Sequence, residues 1–177
     1  VVIVSGQSLD DLRKRGAVAG ADIVYTAGGS NKAVIAPDGN AALDDEYRRA
    51  NGFRSPEEAA AVRALIFQVV EAMKSDEKVE AGIRDVLKAE PLVIEDRDSG
   101  AQMAFKYPLS PEDRFVIVQR IDQALEARGL QIYEAGESGK STVSVQRAGV
   151  DKENALLDIM AHYGVGRDDL LYFGDEF

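Results

Sequence analysis

Two kinds of predicted strand divide this sequence into an outer part and a middle part. Val1–Val4 and Leu170–Phe173, near the two ends, are uninterrupted apolar runs, which are typical of strands buried on both faces of a parallel sheet. Between them, polar and apolar residues alternate through 141–147, which is typical of a strand with one exposed face. The sequence therefore predicts an α/β sheet built from both ends of the chain and interrupted by an α+β layer.

The outer part also carries helix signals. Ser8 and Asp151 are predicted N-caps of two helices, which should end at Gly16 and Gly164. Two further strands are predicted at 22–26 and 33–36. We assign 1–53 and 148–177 to this discontinuous sheet domain.

The middle part, 54–147, repeats one helix followed by two strands. Ser55-Pro56 and Ser110-Pro111 each open a helix with a capping residue, a proline and two acidic residues. The predicted elements are a helix from Ser55, a helix at 77–88, strands at 92–95 and 102–107, a helix from Ser110 to Gly129, and strands at 130–135 and 141–147. This order is αββαββ with one additional helix.

Charge and composition exclude several classes of partner. The chain has 21 Lys and Arg against 31 Asp and Glu, a formal net charge of −10, and such a surface repels DNA and RNA when no basic patch is apparent in the sequence. The absence of cysteine excludes disulfides and cysteine metal sites and fits a reducing compartment. No apolar run approaches the roughly 20 residues that span a bilayer. We therefore expect a cytoplasmic protein without nucleic-acid or membrane partners.

Alternation in the last two middle strands predicts a polar sheet face. Tyr133, Ser144 and Gln146 would share this face, joined by Lys106, because successive side chains of a strand point to opposite sides. The residues expected on the helix-facing side are Leu130, Ile132, Val143 and Val145. An open polar face with one aromatic ring suits a sugar-like ligand, and a face that is merely solvated is the alternative.

Three short motifs lie at predicted strand ends or at a helix start. Ser5-Gly6 follows the first strand, where a hydroxyl and a flexible backbone suit a phosphoryl group. Lys152 lies in the first turn of its helix, where the macrodipole disfavours a cation, so an anion nearby would be favourable. Asp175 and Glu176 follow the last strand and offer the oxygen ligands that Mg²⁺ prefers. The alternative interpretations are, in the same order, a simple turn, a solvated lysine and an acidic turn.

The segment 136–142 is similar to a phosphate-binding P-loop but does not match it. The motif needs a glycine five residues before Gly139, and that position is Glu134. A P-loop also leads into a helix, whereas the β-branched alternation after Lys140 favours a strand. We predict a hairpin turn here.

Taken in order, these features resemble the haloacid dehalogenase-like phosphatases. The resemblance rests on Ser5-Gly6, the inserted layer, Gly149-Val150-Asp151-Lys152 and Gly174-Asp175-Glu176, and it covers nearly the whole chain. The αββαββ layer is similar to the cap of the family's sugar-phosphate phosphatases and phosphomannomutases. The resemblance implies an α/β fold with a Rossmann-like core, incomplete in this sequence, and an inserted α+β cap domain at 54–147.

The resemblance also implies roles for the matching residues. Ser5, with Gly6, would bind the transferring phosphoryl group, and Lys152 would hold its charge and orient the nucleophile. Asp175 would bind Mg²⁺ directly, with support from Glu176. The implied substrate is a phosphorylated sugar or a similar small phosphate ester, cleaved through an aspartyl-phosphate. The implied cap hinges are at 53–55 and 148–149.

The nucleophile motif of this family is not in the sequence. Its Asp-x-Asp strand would precede Val1, and a further acidic residue would follow Phe177, so we expect a fragment that is inactive by itself. Two alternatives stay open, a phosphomannomutase-like phosphotransferase and a non-catalytic binding module derived from the same fold. The sequence does not set the oligomeric state.

Overall fold

The computed structural model describes residues 1–98, 102–138 and 141–169, which contain six α-helices and eight strands. The helices are α1 (Leu9–Lys14), α2 (Asp45–Asn51), α3 (Pro56–Met73), α4 (Ala81–Ala89), α5 (Pro111–Ala127) and α6 (Lys152–Tyr163). The strands are β1 (Val2–Val4), β2 (Ile23–Thr26), β3 (Asn31–Ile35), β4 (Ala41–Leu43), β5 (Glu95–Arg97), β6 (Gln102–Lys106), β7 (Tyr133–Ser138) and β8 (Thr142–Arg147). Single 3-10 turns lie at Ala27–Gly29 and Arg167–Asp169.

The first sheet has the strand order β1-β2-β3-β4 and is mixed rather than parallel. β1 and β2 pair in parallel, whereas β2 with β3 and β3 with β4 pair antiparallel. The predicted strand at 1–4 is therefore in place, but its side chains are half-buried and not buried on both faces. β4 is only partly covered.

Helices cover both faces of the first sheet. Leu9 and Leu12 of α1 pack with Val24 on one face, while Ile159 of α6 packs with Ile23 on the other. This alternation follows from the period of two in a strand. The helix after Asp151 thus returns to the sheet formed by the start of the chain, as the sequence predicts.

The second sheet has the order β5-β6-β8-β7, with all pairs antiparallel. Helices α3, α4 and α5 contribute to the hydrophobic core on one of its faces, where Phe105, Val143 and Val145 are almost fully buried. The element order from α3 to β8 is helix, helix, strand, strand, helix, strand, strand, as predicted.

The capping signals in the sequence correctly locate the longer helices. The hydroxyl oxygens of Ser55 and Ser110 accept hydrogen bonds from the backbone N–H groups of Glu58 and Asp113 at the starts of α3 and α5. Asp151 forms a reciprocal capping box with Asn154. Such caps satisfy donors that the first helical turn leaves unpaired.

Three elements differ from the sequence prediction. α2 and β4 were not predicted, because α2 buries no residue completely and β4 is mostly exposed, so neither has a strong apolar pattern. The strand predicted at 92–95 begins only at Glu95. Leu92 and Ile94 pack on the core without belonging to a strand, whereas Val93 is exposed.

Two other predictions concern the hairpin and the last strand. β7 and β8 form an antiparallel pair on either side of residues 139–140, which confirms the hairpin in place of a P-loop. The strand predicted at 170–173 lies outside the described residues. None of the helices within 1–98, 102–138 and 141–169 combines the length and apolar character needed to cross a bilayer.

Candidate functional site

The turn at the end of β1 is held by backbone hydrogen bonds. The N–H of Ser5 donates to the carbonyl of Tyr25 at 2.9 Å, and the carbonyl of Ser5 accepts from Gly28 at 3.1 Å. The Ser5 hydroxyl oxygen accepts from the N–H of Gln7 at 3.1 Å, and no described residue accepts the hydroxyl hydrogen. Because Ser5 is partly exposed, this hydrogen is available to an oxygen atom of a ligand.

The glycine turn after β2 allows α6 to approach this strand end. Gly29 has a φ of +100°, and a Cβ there would lie 2.2 Å from the carbonyl oxygen of Asp151, which is far inside van der Waals contact. Only glycine fits here, for both backbone and steric reasons. The turn at Ala27–Gly29 therefore lies between Ser5 and the start of α6.

Lys152 is the first residue of α6 and is exposed. It makes no hydrogen bond or ion pair with any described residue, and its helix start lies against the glycine turn that is hydrogen-bonded to Ser5. A cation in this first turn opposes the helix dipole. The structure thus brings the segments that carry Ser5 and Lys152 to either side of the glycine turn.

A buried charge cluster attaches α6 to the first sheet. The Nζ atom of Lys32 lies 2.7 Å from a carboxylate oxygen of Asp158 and 3.9 Å from one of Asp44, and the Tyr25 hydroxyl also donates to Asp158. Burial tends to raise the pKa of Asp158, but the hydrogen bonds from Lys32 and Tyr25 outweigh it and hold this pKa below its usual value. The sequence analysis missed this cluster, whose residues are far apart in the chain.

Tyr47 also belongs to this cluster. Its hydroxyl donates to the carbonyl of Gly29 at 3.0 Å, and its ring meets the ring of Tyr25 edge-on. Burial, and then the charges of Asp158 and Asp44, raise the pKa of Tyr47 to about 12, so it stays a neutral donor. The cluster therefore supports the glycine turn as well as α6.

The polar face of the second sheet lies against the Ser5-Gly6 turn. Arg97 of β5 donates to the carbonyl of Gly6 at 2.9 Å and to the side chain of Gln102 at 3.2 Å. Gln102 donates to Gln146 at 2.6 Å, and a Cβ on Gly28 would lie 3.3 Å from the Gln146 amide oxygen. The predicted ligand residue Gln146 thus lies beside the predicted phosphoryl site.

Asp98 makes a second bridge between the two sheets. One of its carboxylate oxygens accepts from the N–H of Leu9 at 3.0 Å, and the other accepts from the hydroxyl of Thr26. Leu9 begins α1, so the carboxylate lies at the positive end of a helix. The backbone of Asp98 is left-handed, with a φ of +49°.

The remaining predicted ligand residues of the second sheet are Ser144, Lys106 and Tyr133, and only the first two lie on its polar face. Ser144 pairs with Ala104 and Lys106 pairs with Thr142, so Ser144 and Lys106 lie on the polar face with Gln146. Ser144 is buried and Lys106 is exposed.

The prediction that Tyr133 lies on the polar face is wrong. β7 begins at Tyr133, and its pairing with Arg147 places Tyr133 on the same face as Val145, where it is buried in the hydrophobic core. Its hydroxyl donates to Glu58 and accepts from the N–H of Arg54 at 3.1 Å. Burial, and then the bond to Glu58, raise its pKa to about 12. Tyr133 therefore supports the junction before α3 and does not face a ligand.

The predicted metal ligands Asp175 and Glu176 lie outside the described residues. Within the part of the chain that the structure describes, no group of three or more His, Cys, Asp or Glu side chains could hold a metal ion.

One comparison identifies the family of this chain. A family model described as haloacid dehalogenase-like hydrolase matches residues 73–177. No curated protein matches the sequence.

Several solved structures share the fold. Sucrose-phosphatase from Synechocystis sp., in complex with sucrose and phosphate, has a TM-score of 0.54 and 12% identity over 94% of this chain and 71% of that chain. IMP-nucleotidase from Plasmodium falciparum has a TM-score of 0.58 and 12% identity over 93% of this chain. This chain covers 47% of the nucleotidase chain. At these identities the likeness shows the fold and nothing finer.

Proposed function

Because this chain belongs to the haloacid dehalogenase-like hydrolases, we propose that it forms part of a Mg²⁺-dependent phosphatase. The proposed substrate is a phosphorylated sugar or a similar small phosphate ester. In this proposal residues 1–53 and 148–177 are the core and residues 54–147 are the cap. The separate sheets of the two parts, with their own hydrophobic cores, support the division.

One observation carries the proposal. The Ser5-Gly6 turn, the glycine turn and the start of α6 lie together at one edge of the first sheet, and the polar face of the second sheet covers this edge through Arg97 and Gln146. A hydroxyl donor and an exposed lysine on two segments that meet at one glycine turn suit the oxygens of a phosphoryl group. The covering face reduces access of bulk water.

The proposed residues act by binding and orientation. The Ser5 hydroxyl donates to a phosphoryl oxygen while its own oxygen stays fixed by the N–H of Gln7. Lys152 neutralises phosphoryl charge from the start of α6, and Gly6 leaves room for the ligand because no side chain projects there. Lys106, Ser144 and Gln146 contact the rest of the substrate from the polar face.

Magnesium and the nucleophile come to the proposal from the family resemblance. Asp175, supported by Glu176, is the proposed Mg²⁺ ligand, and the aspartate nucleophile is expected on an Asp-x-Asp strand ahead of Val1 in the full-length protein. Reading the gene upstream of Val1 tests this point directly. If no such strand is encoded, the aspartyl-phosphate mechanism is wrong.

The main experiment measures phosphate release by the full-length protein from a panel of sugar phosphates, with Mg²⁺ and with EDTA. We expect turnover that requires Mg²⁺ and falls about 100-fold or more in kcat for Lys152→Gln, because it loses a charge that stabilises the transition state. Lys14→Gln is the matched control, since Lys14 is exposed on α1 and pairs only with nearby acids. Equal rates for the two variants would refute the role of Lys152.

Other outcomes distinguish the alternatives. Movement of the phosphoryl group between positions of one sugar, with little free phosphate, would identify a mutase. Binding of sugar phosphates without turnover by the full-length protein would identify a binding module. For a phosphatase, Lys106→Ala should raise KM for the preferred substrate more than it lowers kcat, because Lys106 contacts only the part that does not react.

A further inference from the structure

A cleft lies on the opposite side of β5 and β6 from the proposed phosphoryl site. Its volume is about 570 Å³, and it lies where α2, the connection at 53–55, α3 and β5 meet. This size is within the range of small-molecule sites. Its floor includes Phe53, Ala59 and Met103.

Four arginines line this cleft. Arg48 and Arg49 come from α2, Arg54 from the connection and Arg63 from α3, while Asp96 is the one acidic residue lining it among the described residues. The chain has only 21 Lys and Arg and a net charge of −10. Such a concentration of positive charge in an acidic protein makes this cleft a strong attractor for anions.

Two of the four guanidinium groups are available to a ligand. Arg63 donates to the carbonyl of Ile94 at 3.0 Å and lies 3.8 Å from Asp96, and Arg48 pairs with Asp45 at 3.1 Å. The guanidinium groups of Arg49 and Arg54 make no hydrogen bond or ion pair with any residue within 1–98, 102–138 and 141–169. Both residues are exposed at the mouth of the cleft.

The strand register separates this cleft from the phosphoryl site. Met103 pairs with Val145 and with Asp96, so Met103 and Asp96 lie on the helix-facing side of the second sheet. Arg97 and Gln102, which contact the Ser5-Gly6 turn and Gln146, lie on the other side. A ligand in the cleft would therefore not occupy the proposed substrate site.

The amino end of α3 also borders the cleft but does not by itself suggest a ligand. Glu57 and Glu58 occupy its first turn and already complement the helix dipole. The arginines carry the argument.

We propose that this cleft binds a small molecule that carries two or more phosphate groups. Arginine forks match phosphate oxygens in bidentate geometry, which lysine does not do. A single charge held by exposed arginines would gain little against solvent screening, so a multivalent anion is the expected ligand. Because Arg49 belongs to α2 and Arg54 to the connection before α3, such a ligand bridges the two parts of the chain at their junction.

Titration calorimetry with inorganic pyrophosphate tests the proposal, at low ionic strength and with EDTA to remove divalent metal. We expect saturable binding that weakens at least tenfold in the double variant Arg49→Gln with Arg54→Gln. The matched control is Arg13→Gln with Arg15→Gln, which removes the same charge from exposed residues around the end of α1. This control should bind within twofold of the unmodified protein, and circular dichroism checks that both variants fold.

Three outcomes would overturn the proposal. Equal weakening in the cleft variant and the control would mean that only net charge matters. Loss of pyrophosphate binding in Lys152→Gln, with normal binding in the cleft variant, would place the anion at the phosphoryl site. Absence of binding to the unmodified protein at millimolar pyrophosphate would also refute the site. None of these results depends on phosphatase activity.

Discussion

The two sheets of this protein differ in how their faces are covered. The first sheet has α1 on one face and α6 on the other, so β2 places Val24 and Ile23 in hydrophobic clusters on opposite sides. The second sheet has its helices on one face only, and its other face carries polar side chains such as Gln102 and Gln146. A sheet covered on both faces can offer ligands only its strand ends, whereas the polar face of the second sheet is buried at Gln102 and Ser144 and exposed at Lys106.

The proposed site uses both a strand end of the first sheet and the polar face of the second. The strand end at Ser5-Gly6 meets the polar face through Arg97. The proposed site therefore joins two segments that are far apart in the sequence, since Arg97 and Gly6 are separated by 91 positions.

The largest expected effect tests the one-sided packing of the second sheet. Phe105→Ala should lower the free energy of unfolding by about 4 kcal/mol, since it leaves a cavity among buried side chains. Lys106→Ala, the next residue on the opposite face, should change it by no more than about 0.5 kcal/mol. Urea unfolding of both variants measures the difference, and similar losses would contradict the difference between the faces.

The next effect concerns the docking of α6 on the first sheet. Gly29→Ala should destabilise the protein by about 3 kcal/mol, because a Cβ would overlap the Asp151 carbonyl and the backbone φ is positive. Gly16→Ala shares the positive φ but has open space around its Cβ, so about 1 kcal/mol is expected there. Thermal unfolding compares them. Equal losses would show that α6 does not need this close approach.

A smaller effect tests the charge cluster that holds α6. Lys32→Met should cost about 2 kcal/mol, less than a fully buried pair, because the Asp158 side chain is 33% exposed and keeps the Tyr25 hydrogen bond. Lys14→Met removes an exposed pair with Asp10 and should leave the urea midpoint unchanged. A midpoint for Lys32→Met equal to that of the control would show that the cluster contributes nothing.

The smallest effect is a pH dependence from Asp158. Its pKa in the folded protein is lowered, so its stabilising contribution is present above the unfolded value of about 3.9 and is lost as the pH falls through the folded value. Unfolding free energies of the unmodified protein and of Asp158→Asn, measured from pH 6 downwards, should therefore converge below about pH 4. A constant gap over this range would contradict the ionic role of Asp158.

Local signals in the sequence predicted most helices and the order of the elements. Ser55, Ser110 and Asp151 lie at helix starts, as expected, because capping depends on neighbours within four residues. The register of β7 could not be predicted in this way. The predicted strand begins at residue 130, whereas β7 begins at Tyr133 and its pairing with β8 turns Tyr133 away from the polar face. The Tyr133 side chain fills the core beside Phe53, and this packing decides the register.

The candidate site was likewise predicted only in part from local signals in the sequence. Ser5 and Lys152 were predicted from a strand end and a helix start, and the structure places those segments on either side of one glycine turn. Arg97, Asp98 and the Lys32 cluster were not predicted as parts of the site. Their partners lie from 12 to 133 residues away, except where Arg97 contacts its own hairpin, so no local pattern marks them.

The sequence by itself determined the fold class and the order of the elements from α3 to β8, because periodicity and helix caps are local properties. Only the tertiary structure decided which strand faces are covered and which distant charges meet. The arginines of the cleft illustrate this most directly. In the sequence they are four residues among an excess of acidic ones, and only the packing of α2 against α3 and β5 brings them to one cleft.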